Sequence, residues 1–510
     1  MTRFRRSLQN SLMYAEAAFD RPFGPAWNPL RQMGTLTFFY FWIVAISGIY
    51  VYILFDTTVG GAYRSVEHMT HQQWYLGGVM RSLHRYASDA MVMSMVLHLT
   101  REFIFDRYRD VRWFTWFTGV PLIWFLFISG VSGYWLVWDV LAQYVAIGSM
   151  EWIDWLGIFG EPVANNFLLP GNLTDRFFTL MVFMHIFAPL FLLFIMWIHV
   201  MRVSQPKINP PRGLALGSLA MFVVLALIWP ATSQAPADLN QVPGDLNLDW
   251  FYMFLYPVFD EWGAGPMWGL AIGVSVMVAA MPWMPPLKRP KPAEVYLDKC
   301  NGCTRCFEDC PFGAITMAPR SDGKPFEREA VVAPDLCTSC GICVGSCPVS
   351  TPFRSSEKLI TGIDLPDLNL KNLRDRTQHA MARAGSDGIV VFGCDYGVDI
   401  KHIDSDGVQG VSMPCIGMLP PSFMDYALGK DGVAGVLITG CKECECFSRL
   451  GNRWTIERIA GVRDPYLRKR VDRRRLDVFW ASRIDGEDLN AEISRFKDNL
   501  KAIDQGGDKT

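Results

Sequence analysis

Two apolar runs each carry a pair of histidines fourteen residues apart. His84 and His98 lie in MRSLHRYASDAMVMSMVLHLTR (80–101), and His185 and His199 in RFFTLMVFMHIFAPLFLLFIMWIHVMR (176–202). At about 100° per residue, fourteen positions return to within about 40° of the starting direction, so both imidazoles of a pair share one helix face. At about 1.5 Å per residue they stand roughly 21 Å apart along the axis. Polar groups are costly in hydrocarbon and usually functional there. A lone intramembrane histidine is readily explained by packing or hydrogen bonding; two identically spaced pairs call for a common ligand. Side by side, such helices offer one imidazole pair near each membrane surface. That suits two stacked haems with histidine at both axial positions, His84 with His185 on the outer one and His98 with His199 on the inner one.

Runs long enough to cross a hydrocarbon core of about 30 Å are expected at 36–55, 77–104, 114–138, 177–203, 213–230 and 265–284. Their loops differ in charge. Arg3, Arg5, Arg6 and Arg31 precede the first run; Arg101, Arg107, Arg109 and Arg112 follow the second. Arg202, Lys207 and Arg212 follow the fourth, and Lys288, Arg289 and Lys291 the sixth, whereas residues 231–265 hold five acids and no Lys or Arg. By the positive-inside rule both ends of this region are cytoplasmic. MTRFRRSLQN (1–10) has no apolar core behind its arginines, so no cleavable signal peptide is expected. A net charge of −2 without a basic, aromatic-interleaved patch argues against a nucleic-acid partner.

With these residues in view, the first part of the chain (roughly 20–290) resembles the cytochrome b family of quinol-oxidising bc-type complexes. Gly34 and Gly48, and Gly119 and Gly133, repeat the fourteen-residue interval; glycine lets a flat porphyrin approach a helix backbone, and helix packing is the plainer alternative. Arg81, GYWLVWD (133–139) and Pro189 also look like family features. Where the family carries Pro-Glu-Trp-Tyr at its outer quinol site, this chain has LDWFY (248–252). Asp249 then stands in the glutamate's place, either as a proton acceptor for quinone chemistry or as an ordinary acid at a helix start. No Rieske-type ligands are evident in the sequence.

All thirteen cysteines lie at or beyond residue 300, which favours metal ligation in a reducing compartment over disulfides. After the Pro-rich segment 284–294 come CNGCTRCFEDCP (300–311) and CTSCGICVGSCP (337–348), each C-x2-C-x2-C-x3-C-P. This is the bacterial two-cluster ferredoxin pattern, in which the fourth cysteine of each run serves the other cluster. Cys300, Cys303, Cys306 and Cys347 are thus expected to hold one [4Fe–4S] cluster, and Cys337, Cys340, Cys343 and Cys310 a second. Zinc is the alternative for any C-x2-C pair.

In residues 385–510, DGIVVFGC (387–394), VQGVSMPC (408–415) and VAGVLITGC (433–441) read as buried strands ending on cysteine, with helical segments near 421–430 and 451–461. An α/β sheet with converging strand ends follows. Through GCKECECFSRLGNRW (440–454) and VFWASRIDGEDLNAEISRFKDNL (478–500) the segment resembles the delta, iron–sulfur subunit of methyl-viologen-reducing hydrogenase. That family binds a [2Fe–2S] cluster and passes electrons to heterodisulfide reductase. The resemblance implies Cys394, Cys415, Cys441 and Cys446 as ligands, with Cys444 a substitute or a bystander and Val391 where a further family cysteine stands. His68, His71, His379 and His402 have no partner pattern. YLRKRVDRRR (466–475) reads as a solvated face, with docking of an acidic partner or lipid headgroups as the alternative.

The expected architecture is multi-domain. An all-α transmembrane haem-binding bundle (1–290) precedes an α+β ferredoxin domain (291–360), a linker (361–384) and a small α/β iron–sulfur domain (385–510). No strand-linked G-x-G-x-x-G occurs, so a two-electron site for a soluble substrate must come from a partner. The expected protein is the multi-pass membrane subunit of a quinone-linked oxidoreductase in a prokaryotic cytoplasmic membrane, with both termini and the iron–sulfur domains in the cytoplasm. A cytoplasmic dehydrogenase, a flavin or iron–sulfur enzyme, would feed the [2Fe–2S] centre, the two [4Fe–4S] clusters, two haems b and membrane quinone. Two alternatives remain: a quinol-oxidising subunit feeding a heterodisulfide-reductase-like enzyme, or a haem-containing anchor without a quinone site. The likeness to dimeric bc-type complexes also implies a homodimer.

Overall fold

In this computed structural model the described residues are 3–109, 112–169, 171–201, 206–284, 290–354, 359–401, 403, 405–429, 432–442 and 445–505. The first part is helical: α1 (Arg3–Phe23), α2 (Met33–Leu54), α3 (Val79–Ile104), α4 (Trp113–Val137), α5 (Val140–Asp154), α6 (Asp175–Met201), α7 (Arg212–Ile228) and α8 (Ala264–Ala280). All six expected spans are helices. By length and composition α2, α4, α6 and residues 264–283 qualify to cross a membrane among the described residues. α7 is shorter, at 17 residues. α3 spans 26 residues and carries five charged side chains, Arg81, Arg85, Asp89, Arg101 and Glu102, each with a partner of opposite charge.

Two of the longer helices in this first part were not expected from the sequence. α5 has a hydrophobic face but only 15 residues, too few to cross, and α1 is amphipathic with no span-length apolar run. Asp139 starts α5, accepting the Ala142 N–H at 2.8 Å, directly after Trp138 turns the chain through a left-handed residue (φ 54°). Side chains such as Ile46, Ile53, Phe183, Leu190 and Val276 remain open on the helix faces, as lipid-facing surface requires.

The chain divides into two compact units, one of residues 27–201 and 206–285, the other including 1–26 and 286–510. In the first, α2 packs along α3 and α4 along α6, so each histidine-bearing helix lies against one carrying paired glycines.

In the second unit, β1 (Glu294–Val295) pairs antiparallel with β4 (Ile363–Asp364), and β2 (Ile315–Pro319) with β3 (Arg328–Val332). The one-turn helices α9 (Arg305–Asp309) and α10 (Ile342–Ser346) follow the first cysteines of each motif. Residues 361–384 are ordered, holding β4 and α11 (Leu370–Ala384). Asn369 caps α11 by accepting the Asn372 N–H at 2.8 Å.

Beyond them β5 (Ile389–Cys394), β6 (Val408–Met413), β7 (Gly435–Gly440) and β8 (Leu476–Trp480) form a wholly parallel sheet in the order β6-β5-β7-β8. Every residue of β5 and β7 is buried, which is why these strands read as unbroken apolar runs. α12 (Pro421–Ala427), α13 (Gly451–Ala460) and α14 (Gly486–Gln505) connect and cover the sheet. β5 is followed on one side by β6 and on the other by β7, so the carboxyl ends of these strands border a topological switch point, where ligands bind in such sheets. The basic run is pinned to its own domain: Arg468 and Arg470 bind Asp425, and Arg475 donates to the Val433 and Ala434 carbonyls.

Candidate functional site

In the membrane unit the ring centroids of His84 and His185 lie 6.1 Å apart, and His98 and His199 are close neighbours. The structure therefore forms the two pairs expected from the spacing. His84 Nδ1 lies 2.9 Å from the Val44 carbonyl oxygen, and His185 Nδ1 2.9 Å from that of Ser129. A carbonyl only accepts, so Nδ1 carries the hydrogen and Nε2 is left with a lone pair for a metal. His199 Nδ1 is 3.1 Å from Thr118 Oγ1.

The four glycines face these imidazoles. A Cβ at Gly48 would stand 2.9 Å from His84 Cε1, at Gly133 2.9 Å from His185 Cε1, at Gly34 3.2 Å from His98 Cε1 and at Gly119 3.5 Å from His199 Cε1. Close approach to a porphyrin was the expectation; the contact seen is with the imidazole edge, which any side chain at 48 or 133 would displace. Imidazoles paired beside small residues, with Nε2 of His84 and His185 left for a metal, fit a haem with histidine on both faces. Arg81 is held by Thr70, by Ser233 at 2.7 Å and by Glu67 at 3.5 Å.

Asp249 is buried within a polar group that the sequence did not reveal. Tyr134 donates its hydroxyl to Asp249 Oδ2, Arg85 Nη2 lies 2.9 Å from the same oxygen, and the Phe251 N–H donates to Oδ1 at 2.9 Å. Arg85 Nε also holds Asp89 at 3.1 Å, and its guanidinium lies 4.7 Å from the Tyr134 ring centre. Asp89 is itself within hydrogen-bonding reach of Asp249. The Tyr252 hydroxyl is 2.6 Å from Ser88 Oγ. Two carboxyls thus share one guanidinium; the Phe251 contact alone is ordinary turn geometry. The available signal was the acid five residues after His84, inside an expected span.

In the ferredoxin-like fold, Cys310, Cys337, Cys340 and Cys343 line one pocket. Cys300, Cys303, Cys306 and Cys347 line another. Each fourth cysteine crosses to the other motif's cavity, as the motif predicts. Among the described residues no three His, Cys, Asp or Glu side chains converge as ligands of a single metal ion do. Burial, then the neighbouring thiols, pushes Cys306 up to about 12 and Cys343 well above its ordinary value. Burial likewise pushes Cys340 up to about 12. Such thiols ionise only against strong positive charge, as an iron cluster supplies. The donor sets and cavities fit that group.

At the carboxyl ends of the parallel strands, Cys394 Sγ lies 3.4 Å from Cys441 Sγ. Cys415 donates to Cys446, which holds the Cys446 thiol down at about 6 and pushes Cys415 up. The two pairs also sense each other, so the four expected ligands gather at one place. Cys444 lies outside the described residues, as does His402. Val391 is fully buried in β5. A residue missed from the sequence is Gly451: a Cβ there would be 2.2 Å from Cys415 Sγ. His379 and His71 are exposed, bonded to the Asp375 carbonyl oxygen and the Glu67 carboxylate.

Family models match three successive stretches: cytochrome b/b6/petB at residues 19–206, a 4Fe-4S dicluster domain at 299–351, and the methyl-viologen-reducing hydrogenase delta subunit at 399–504. Cytochrome b6 of Auxenochlorella protothecoides is 28% identical over 191 residues, 37% of this chain and 87% of that protein. Cytochrome b6 of Porphyra purpurea is 29% identical over 194 residues, again 37% and 87%. A solved hyperthermophilic respiratory Complex III chain aligns with a TM-score of 0.40 at 20% identity, over 49% of this chain and 74% of that one. The order of the three matches is that of the fusion described above. A cytochrome b-like region implying haem b and a dicluster region implying [4Fe–4S] make this a membrane electron-transfer subunit.

Proposed function

We propose that this subunit carries single electrons between a cytoplasmic dehydrogenase, a flavin or iron–sulfur enzyme, and membrane quinone. Bound clusters and haems would supply one-electron carriage; the chain's own side chains hold them and manage protons. Cys394, Cys415, Cys441 and Cys446 would ligate a [2Fe–2S] centre at the entry. The two tetracysteine cavities would each hold a [4Fe–4S] cluster. His84 with His185 and His98 with His199 would clamp two haems b, with Gly34, Gly48, Gly119, Gly133 and Arg81 shaping their surroundings. Asp249, held by Arg85 and Tyr134, would exchange a proton with quinone. The charge bias of the loops supports cytoplasmic termini in a prokaryotic inner membrane.

The observation that carries this reading is the presence, in one chain, of two facing imidazole pairs and two crossed tetracysteine cavities. Four such sites describe a relay, and the membrane end of a relay needs a lipid-soluble reactant. The test is gentle detergent purification from native membranes with mass spectrometry of what remains bound. A co-purifying flavin dehydrogenase whose substrate reduces the haem bands, followed by quinone reoxidising them, is the expected result. A heterodisulfide-reductase-like partner with clusters reduced only by added quinol would reverse the direction. Haem reoxidation insensitive to quinone and its analogues would reduce the membrane unit to an anchor.

A further inference from the structure

We infer that Cys415 and Arg449 form the electron junction between the four-cysteine site of the parallel sheet and only one of the two tetracysteine cavities, that of Cys310, Cys337, Cys340 and Cys343. This order of sites rests on the relay proposed above and goes beyond it, since nothing in the motifs says which cluster comes first.

Three contacts carry the inference. Cys415, Ile342 and Trp454 form one buried apolar cluster against which Cys340 packs. The backbone around them is closely apposed: a Cβ at Gly341 would be 2.7 Å from Met418, and one at Gly345 2.1 Å from the Gly417 carbonyl oxygen. The loop bearing Cys340 and Cys343 therefore packs directly on the turn bearing Cys415, backbone against backbone at Gly345 and Gly417.

The second contact is a chain of hydrogen bonds. The Arg449 N–H donates to the Cys446 carbonyl at 2.9 Å, and its guanidinium Nη1 donates to the Pro311 carbonyl at 2.9 Å. Pro311 follows Cys310 directly.

The third contact fixes the spacing. Arg458, fully buried, donates from Nη1 to the Gly417 carbonyl at 2.9 Å and from Nη2 to Asp309 Oδ2 at 2.6 Å and Ser346 Oγ at 2.7 Å. It is a positioning residue, tying the Cys415 turn to the residue before Cys310. The other cavity has Met317, Ala330, Gly362 and Ile363 among its walls, and its Cys303 is exposed.

Electron transfer falls steeply with the gap between centres, so the contact face decides the order. One electron leaves the site of Cys394, Cys415, Cys441 and Cys446, and one arrives at the site of Cys310, Cys337, Cys340 and Cys343; no bond or proton need change. The site of Cys300, Cys303, Cys306 and Cys347 is next, with exposed Cys303 at the far end.

The test is microwave power saturation of the [2Fe–2S] electron paramagnetic resonance signal in the full-length holoprotein, where a nearby paramagnetic [4Fe–4S] cluster speeds relaxation. Potentiometric titration of the unaltered protein reduces the two [4Fe–4S] clusters in turn. Cys303→Ala and Cys337→Ala identify which is which by the signal each removes. The expected result is faster [2Fe–2S] relaxation when the Cys337 cluster becomes reduced, unchanged in Cys303→Ala and lost in Cys337→Ala. If either variant fails to assemble, the step in relaxation is assigned from the titration and the surviving variant. Relaxation that follows the Cys303 cluster would overturn the order while leaving the relay standing. A protein with both [4Fe–4S] signals and no [2Fe–2S] signal would overturn the underlying ligand reading, and the order with it.

Discussion

Gly48 and His84 meet so closely that a methyl group at 48 would stand 2.9 Å from the imidazole Cε1, while the ring's Nδ1 binds Val44 O four residues earlier on the same helix. The imidazole is thus seated in a notch that only glycine leaves open. Gly48→Ala should force the ring off its carbonyl anchor at an overpacking cost of about 1–3 kcal/mol, and disturb the haem proposed for His84 and His185. Gly119→Ala has 3.5 Å to His199 Cε1, an ordinary contact. Redox titration of the haem bands should show one component shifted or lost in Gly48→Ala and no such change in Gly119→Ala. Equal behaviour of the two variants would contradict the notch.

Asp249 is buried, yet held by Tyr134 and Arg85 rather than by backbone alone. If it exchanges protons with quinone, Asp249→Asn should slow quinone-dependent haem reoxidation by about 100-fold or more, the scale of a lost general acid–base group. Haem content and spectra should not change, and Asp249→Glu should recover part of the rate. A turn-forming role predicts the reverse, a less stable membrane unit with unaltered reoxidation.

The histidine pairs and the crossed cysteine sets that the structure brings together were legible in the sequence because their signals are local. The fourteen-residue interval needs only helical geometry, and C-x2-C-x2-C-x3-C-P lies within twelve residues from Cys300 to Pro311. β5 and β7 were legible too, because full burial on both faces leaves no polar alternation to confuse them. What stayed hidden depends on packing between distant segments. Arg85 and Asp249 are separated by 164 residues, and Asp309 and Arg458 by 149. In the sequence Arg458 is one arginine in an amphipathic helix, with nothing to mark it as buried. α5 escapes the sequence because an apolar helix of 15 residues is too short to register as a span.

Asp364 gives the cysteine-bearing unit a pH dependence. Burial raises its carboxyl from 3.8 to about 6, although it accepts the Leu365 and Leu370 N–H groups, each at 3.0 Å. The folded chain holds this proton more tightly than the unfolded chain. Stability from this group is therefore full below about pH 4 and lost as pH rises through about 6. Asp364→Asn keeps an acceptor and removes the charge. It should stabilise the protein above pH 6, by at most about 3 kcal/mol for a shift of this size, and give no gain at pH 4. Denaturation curves of the two proteins at pH 4 and 7 decide it; a gain that does not change with pH would show that another cause is at work.

Arg458 and Asp309 are both almost wholly buried, and their 2.6 Å contact is shared with Ser346. Arg463 reaches the other Asp309 oxygen at 2.6 Å and lies 3.4 Å from the Trp454 ring centre, while Trp454 donates its indole N–H to the Asp309 carbonyl. Breaking such a pair from one side strands a charge in a medium that solvates it poorly, which costs about 3–5 kcal/mol. Arg458→Met should therefore lower stability strongly, read as loss of iron–sulfur absorption at lower denaturant concentration. The loss comes from a buried carboxylate left with Arg463 as its remaining cation, as well as from the missing contacts. Adding Asp309→Asn to Arg458→Met should then restore a large part of the stability, whereas Asp309→Asn alone leaves Arg458 short of its anion and costs stability again. Double-mutant coupling near zero would mean that the two residues act independently and that the joint is held by its apolar contacts instead.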